Sequence, residues 1–112
     1  MNWILLTAET QIQQIVKQSA TRPQVIFKHS TRCAVSSMSK NRLERNYQPG
    51  NIDFYFLDLL TYRSLSHKVE GVFNVAHESP QVLLIKNGIC VYDESHSGIT
   101  MDEIIEQSER AN

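Results

Sequence analysis

One stretch has residue types and spacing suited to nucleophilic chemistry: Lys28-His29-Ser30-Thr31-Arg32-Cys33-Ala34-Val35-Ser36. A short apolar run, Val25-Ile26-Phe27, precedes it and reads as a buried strand. Ala34 to Arg45 follows with neither Gly nor Pro and reads as a helix. Cys33 therefore falls where a strand hands over to a helix. The first backbone N–H groups of a helix have no internal partners and carry partial positive charge. They stabilise a thiolate over a thiol, and the thiolate is the reactive form. Arg32, Lys28 and His29 add positive charge nearby. Ser36 stands three residues on, where a dithiol motif would place its second cysteine. The resulting Cys-x-x-Ser motif offers one sulfur and no local resolving thiol. A lone cysteine is also commonly a small buried hydrophobe, so its setting has to decide.

Composition narrows that setting. The 112 residues are 41% hydrophobic and 21% charged, as in an ordinary globular protein, and fit a single domain over residues 1–112. Eleven basic and twelve acidic residues leave a net charge of −1, which gives no electrostatic footprint for nucleic acid or an anionic membrane. No apolar run approaches the ~20 residues of a membrane span, and Met1 to Leu6 lacks the basic and long apolar regions of a secretory signal. Two cysteines, Cys33 and Cys90, are too few for a disulfide scaffold. A cytoplasmic location is expected. His29 and Cys33 do not make a zinc site without further ligands, so no metal is expected.

The elements that must position Cys33 follow from periodicity. Trp3 to Leu6 reads as an edge strand or a packing arm. Thr7 suits a helix N-cap, and Ile12, Ile15 and Val16 recur at helical spacing from Ala8 to about Ser19. Gln24 to His29 reads as a central strand covered on both faces. Tyr47 to Asn51 marks a turn, and Ile52 to Leu60 a second strand. A helix is expected from about Thr61 to Glu70, ending near Gly71, with His67 on its surface. Gln81 to Lys86 and Ile89 to Tyr92 flank Asn87-Gly88, a strong hairpin signal. Asp93 to Gly98 reads as a polar loop. Thr100 with Glu103 makes a capping box for a last helix. Strands joined by crossover helices run parallel, and the hairpin adds an antiparallel pair. The fold class is α/β, a mixed sheet of four to five strands with helices on both faces. Cys90, between Ile89 and Val91, reads as an inert core residue. Ser79-Pro80 opens the strand Gln81 to Lys86, where a proline is tolerated in trans and where a cis bond would serve a specific turn.

Taken together these pieces resemble the thioredoxin fold: strand, cysteine, helix, then Ser79-Pro80 before a strand and a Lys86-Asn87-Gly88 hairpin. More narrowly, Phe27 to Cys33, Asp58-Leu59-Leu60 with Tyr62-Arg63, His77-Glu78-Ser79-Pro80-Gln81, and Ser95 to Thr100 resemble the monothiol bacilliredoxin (YtxJ-like) family. The resemblance implies a cytosolic thiol–disulfide oxidoreductase. Its members are proposed to remove the small thiol bacillithiol from mixed disulfides on client proteins. It makes Cys33 the nucleophile, Pro80 the cis-proline opposite it, and Ser36 the occupant of the resolving position. Substrate contacts are expected at Thr31, Arg32, Ser36, Ser79 and Pro80, with Arg32 near the carboxylates of the small thiol. Bacillithiol or a similar thiol would be a co-substrate rather than a bound cofactor, and a reductase is a conceivable further partner. Two rivals share the fold: a non-catalytic module binding a partner strand near Pro80, and a redox sensor whose Cys33 is capped without turnover.

Overall fold

A computed structural model describes residues 1–110. Its elements are β1 (Trp3–Leu5), α1 (Glu9–Gln18), β2 (Gln24–His29), α2 (Ala34–Arg45), β3 (Asp53–Asp58), α3 (Arg63–Phe73), β4 (Gln81–Lys86), β5 (Ile89–Ser95) and α4 (Met101–Glu109). The strands form one mixed sheet in the order β1-β3-β2-β4-β5. β2 runs parallel to β3, and β3 parallel to β1, as strands joined by crossover connections do. β4 lies antiparallel to β2 and pairs with β5 across the hairpin.

β2 sits at the centre, and all six of its residues are buried. Alternation along it divides the core into two layers. Ile26, Tyr55, Leu57, Leu83 and Ile85 meet Ile12 and Ile15 of α1 and Leu65, Val69 and Phe73 of α3. Val25, Phe27, Phe54, Val82 and Leu84 meet Leu43 of α2 and Met101 and Ile104 of α4. Trp3 secures the edge strand β1 by stacking on Phe27 at 5.6 Å and donating from Nε1 to Glu44 at 2.7 Å.

Several boundaries differ from the sequence reading, each for a local reason. Thr7 does not cap α1; Ala8 holds the cap position, and the Gln11 side chain accepts from the Thr7 and Ala8 N–H groups at 2.7 and 3.0 Å. Gly71 does not stop α3, because nothing forces a glycine to break a helix whose Val69 and Phe73 are still packing into the core. The helix ends instead at Asn74, whose φ of 55° suits a left-handed C-cap. β3 is shorter than its apolar run, since the chain turns once Asp58 Oδ1 and Oδ2 accept from Leu60 N and Thr61 Oγ1. The segment expected as a polar loop extends β5 to Ser95 and closes in a short 3-10 turn, His96–Gly98. Only half of the expected capping box at α4 forms: Thr100 accepts from the Glu103 N–H, while the Glu103 carboxylate takes Gln107. Asn87 and Gly88 have φ of 53° and 79°, the pair of positive angles a two-residue hairpin needs. No described helix is long and apolar enough to cross a membrane.

Candidate active site

The carboxyl ends of β2 and β3 and the start of β4 meet at one end of the sheet. The register pairs Lys28 with Gln81, so the proline loop before β4 arrives beside the strand that feeds Cys33. Between His29 and α2 the chain makes one tight turn, closed by Cys33 N–H donating to Ser30 O at 3.1 Å. Cys33 is the N-cap of α2: its backbone is extended, and its carbonyl accepts the first helical bond from Ser37 N at 3.0 Å. Its side chain makes no capping hydrogen bond, and the first turn of α2 holds no acidic residue. Cys33 is half-exposed and stands at a helix start, where the first N–H groups have no intrahelical partners.

Ser36 is fully buried. Its Oγ accepts from Ser30 N at 3.0 Å and lies 2.6 Å from Nδ1 of His29. The hydroxyl thus bridges the Ser30 N–H and the His29 ring, and both of its polar neighbours belong to the protein itself. Burial lowers the His29 pKa, and Lys40 adds to it against Asp58. The ring lies between Phe27 and Phe56, at 5.7 and 5.3 Å. These contacts correct two expectations. Ser36 shapes the cysteine turn from inside rather than facing a substrate. His29 is no cation beside Cys33, and neither is Lys28, which alternation sends to the opposite face of the sheet among α3 residues. Of the three expected positive neighbours, Arg32 alone is exposed beside the cysteine, as is Thr31.

The Ser79–Pro80 peptide bond is cis. Pro80 is buried, and its carbonyl accepts from His96 N at 3.1 Å, while the His96 carbonyl accepts from Ser39 Oγ at 3.3 Å. The proline loop, the 3-10 turn and α2 are thereby tied together. Gln81, fully buried, spans the connection from below: Nε2 donates to Ala76 O at 3.0 Å and Oε1 accepts from Glu78 N at 3.3 Å. Across the top, His96 Nε2 and Glu78 Oε2 stand 3.4 Å apart. Ser79 Oγ is buried and has no partner among the described residues. Sequence reasoning missed the bracing roles of Gln81 and Ser39; a polar residue heading an otherwise apolar strand was the available signal for Gln81.

Cys90 is elsewhere. It packs half-buried against the α1/α3 layer, the layer opposite α2, and pairs with Ile85 near the hairpin. Ile85 lies four residues along β4 from Gln81, or about 13 Å, well beyond the ~7 Å that a disulfide spans between Cα atoms. Burial pushes the Cys90 thiol up to about 11, and the thiol donates to Tyr92 O at 3.3 Å.

The family model for monothiol bacilliredoxin BrxC matches residues 4–104. The chain belongs to this family. Bacilliredoxins are thiol oxidoreductases, and solved structures agree with the fold assignment. One described as an oxidoreductase with a thioredoxin fold is 27% identical, covers 95% of this chain and 93% of its own, and superposes with a TM-score of 0.79. Thioredoxin from Malassezia sympodialis is 16% identical at TM-score 0.76, covering 96% of this chain and 91% of its own. A thioredoxin variant from Halobacterium salinarum is 12% identical at 0.73, covering 97% and 93%. At such identities the two thioredoxins speak to the fold alone. The bacilliredoxin assignment matches the resemblance drawn from Phe27 to Cys33 and from His77 to Gln81.

Proposed function

We propose that this bacilliredoxin removes a small thiol, bacillithiol or a close analogue, from mixed disulfides on cytoplasmic client proteins through Cys33. One observation carries the reading. Cys33 stands at a helix start, Ser36 has its hydroxyl spent internally, and Cys90 lies in the opposite layer, held as a thiol.

The chemistry balances in two exchanges. The Cys33 thiolate attacks the small-thiol sulfur of the mixed disulfide. A Cys33–small-thiol disulfide forms, the bond to the client breaks, and the client sulfur leaves as a thiolate that takes a proton from water. A second small-thiol thiolate then attacks the capped Cys33. Cys33 leaves as a thiolate, and the two small thiols depart as their own disulfide, carrying the oxidation. A reductase can replace that second thiol. In this reading Thr31 and Arg32 flank the attacking sulfur, and the Ser79–Pro80 corner offers backbone groups to the incoming disulfide. No bound cofactor is required.

The test is intact-mass spectrometry of the protein with a test protein capped by bacillithiol. Wild type and Cys90→Ser should take up the cap and release free client, then shed the cap when free bacillithiol is added. Cys33→Ser should do neither. Equal losses from both variants would defeat the one-sulfur mechanism, and capping without subsequent release would favour a sensor.

A further inference from the structure

Lys28 is an unusual presence near the carboxyl end of the central strand β2, after the core residues Val25, Ile26 and Phe27. Its side chain is fully buried. Nζ lies 3.3 Å from Nδ1 of His77 and 3.4 Å from the Ser66 carbonyl oxygen. Among the described residues no carboxylate pairs with it. A buried ammonium without a counter-ion is costly, and burial lowers its pKa while Glu70 opposes the shift.

The contact of the lysine leads outward to His77. Nδ1 of His77 faces two donors, Lys28 Nζ and Ser66 Oγ, the latter at 3.3 Å. An ammonium at Lys28 makes Nδ1 the acceptor and leaves Nε2 as the donor of the ring. His77 lines a small cleft of about 60 Å³ with Leu59, Arg63, Ser66 and His67. That is room for about two waters, or one carboxylate head.

The acids around this end of the sheet are already engaged. Glu70 accepts from the His77 N–H at 2.8 Å. Asp58 accepts from Leu60 and Thr61, and Glu78 faces His96. Arg63 and His67 have no hydrogen-bond or ion-pair partner among the described residues. No carboxylate among the described residues lines the cleft itself, although Glu70 stands behind it and acts on both Lys28 and His77. The cleft is tied to the strand that feeds the cysteine: Leu59, which lines it, donates its N–H to His29 O at 3.0 Å, and the four residues from His29 to Cys33 reach at most about 14 Å.

We infer that the Arg63–His67–His77 cleft, with Lys28 at its base, binds a carboxylate of the small thiol while Cys33 exchanges its sulfur. This rests on the exchange reading above, and extends it by naming a recognition site on the α3 side of the cysteine. A carboxylate from the client would be an alternative source of the same chemistry, so the test holds the client constant.

One test protein is capped either with bacillithiol or with 2-mercaptoethanol, which has no carboxylate. Decapping is followed for wild type, Arg63→Gln and Arg63→Lys. The inference expects Arg63→Gln to raise KM at least fivefold for the bacillithiol cap with kcat nearly unchanged, to leave the mercaptoethanol cap untouched, and Arg63→Lys to recover part of the loss. An equal loss with both caps would assign the anion to the client and overturn it; so would no loss with either. Binding is read separately by titrating wild type with malonate and following the imidazole NMR signals of His67 and His77. Saturable shifts with malonate and none with neutral malonamide are expected, and their absence overturns the site. If Cys33 decaps neither substrate while malonate still binds, the exchange reading fails and with it the small-thiol role of the cleft, although the anion site itself stands.

Discussion

Cys90 gives the sharpest quantitative prediction, because its silence is chiefly a consequence of burial. Consider Cys33→Ser, in which Cys90 is the remaining thiol. With its thiol pushed up to about 11, roughly 1 part in 10⁴ is ionised at pH 7. An ordinary cysteine near 8.5 is ionised to about 3 parts in 100. Ionisation alone therefore slows Cys90 about 300-fold. A more basic thiolate is also a better nucleophile, with a Brønsted slope of ~0.4–0.5. Over about 2.5 pH units that recovers a factor of ~10–20. The net expectation is a reaction with an aromatic disulfide reagent some 20–30-fold slower than that of an unstructured cysteine peptide. The rate should rise about tenfold per pH unit, without a plateau, to at least pH 10. Unfolding the variant in guanidinium should abolish the difference. A plateau near pH 8.5 in the folded variant, or a peptide-like rate at pH 7, would refute the argument that burial silences this sulfur. It would also reopen Cys90 as a resolving thiol.

Two further outcomes follow from the contacts around the cysteine turn. Ser36→Ala leaves the buried Ser30 N–H and His29 Nδ1 without their partner, and should cost about 1–3 kcal/mol; an unchanged midpoint in urea unfolding would show that the network contributes nothing. His29 is buried with a lowered pKa, so the unfolded chain binds more protons as pH falls below about 6.5. Its contribution to stability is then complete above that pH and is lost below it, by up to ~1.4 kcal/mol per pH unit. Denaturant unfolding from pH 7 to 5 should show this slope in wild type and a flatter one in His29→Gln.

Much of this molecule is legible in its order of residues. The apolar run of β2, the break-free stretch of α2 and the Asn87-Gly88 turn each specify their conformation locally, and local signals suffice where backbone chemistry is decisive. The cysteine at a strand-to-helix junction and the serine three residues later follow from the same signals. What lay beyond reach is direction. Lys28 and His29 are neighbours in the chain, and both were read as positive charge beside Cys33. Pleating sends one to α3 and the other to α2, and burial among Phe27, Phe56 and Ser36 keeps the histidine neutral. Ser36 was placed at the substrate because spacing gives its position along the helix, whereas only packing determines which way its hydroxyl points. The same holds for Cys90, whose remoteness depends on which end of β4 it pairs with. Sequence alone determined which sulfur stands at the start of a helix. The tertiary structure decided which charges surround it, since charges act through space and the pairing of distant strands sets that space.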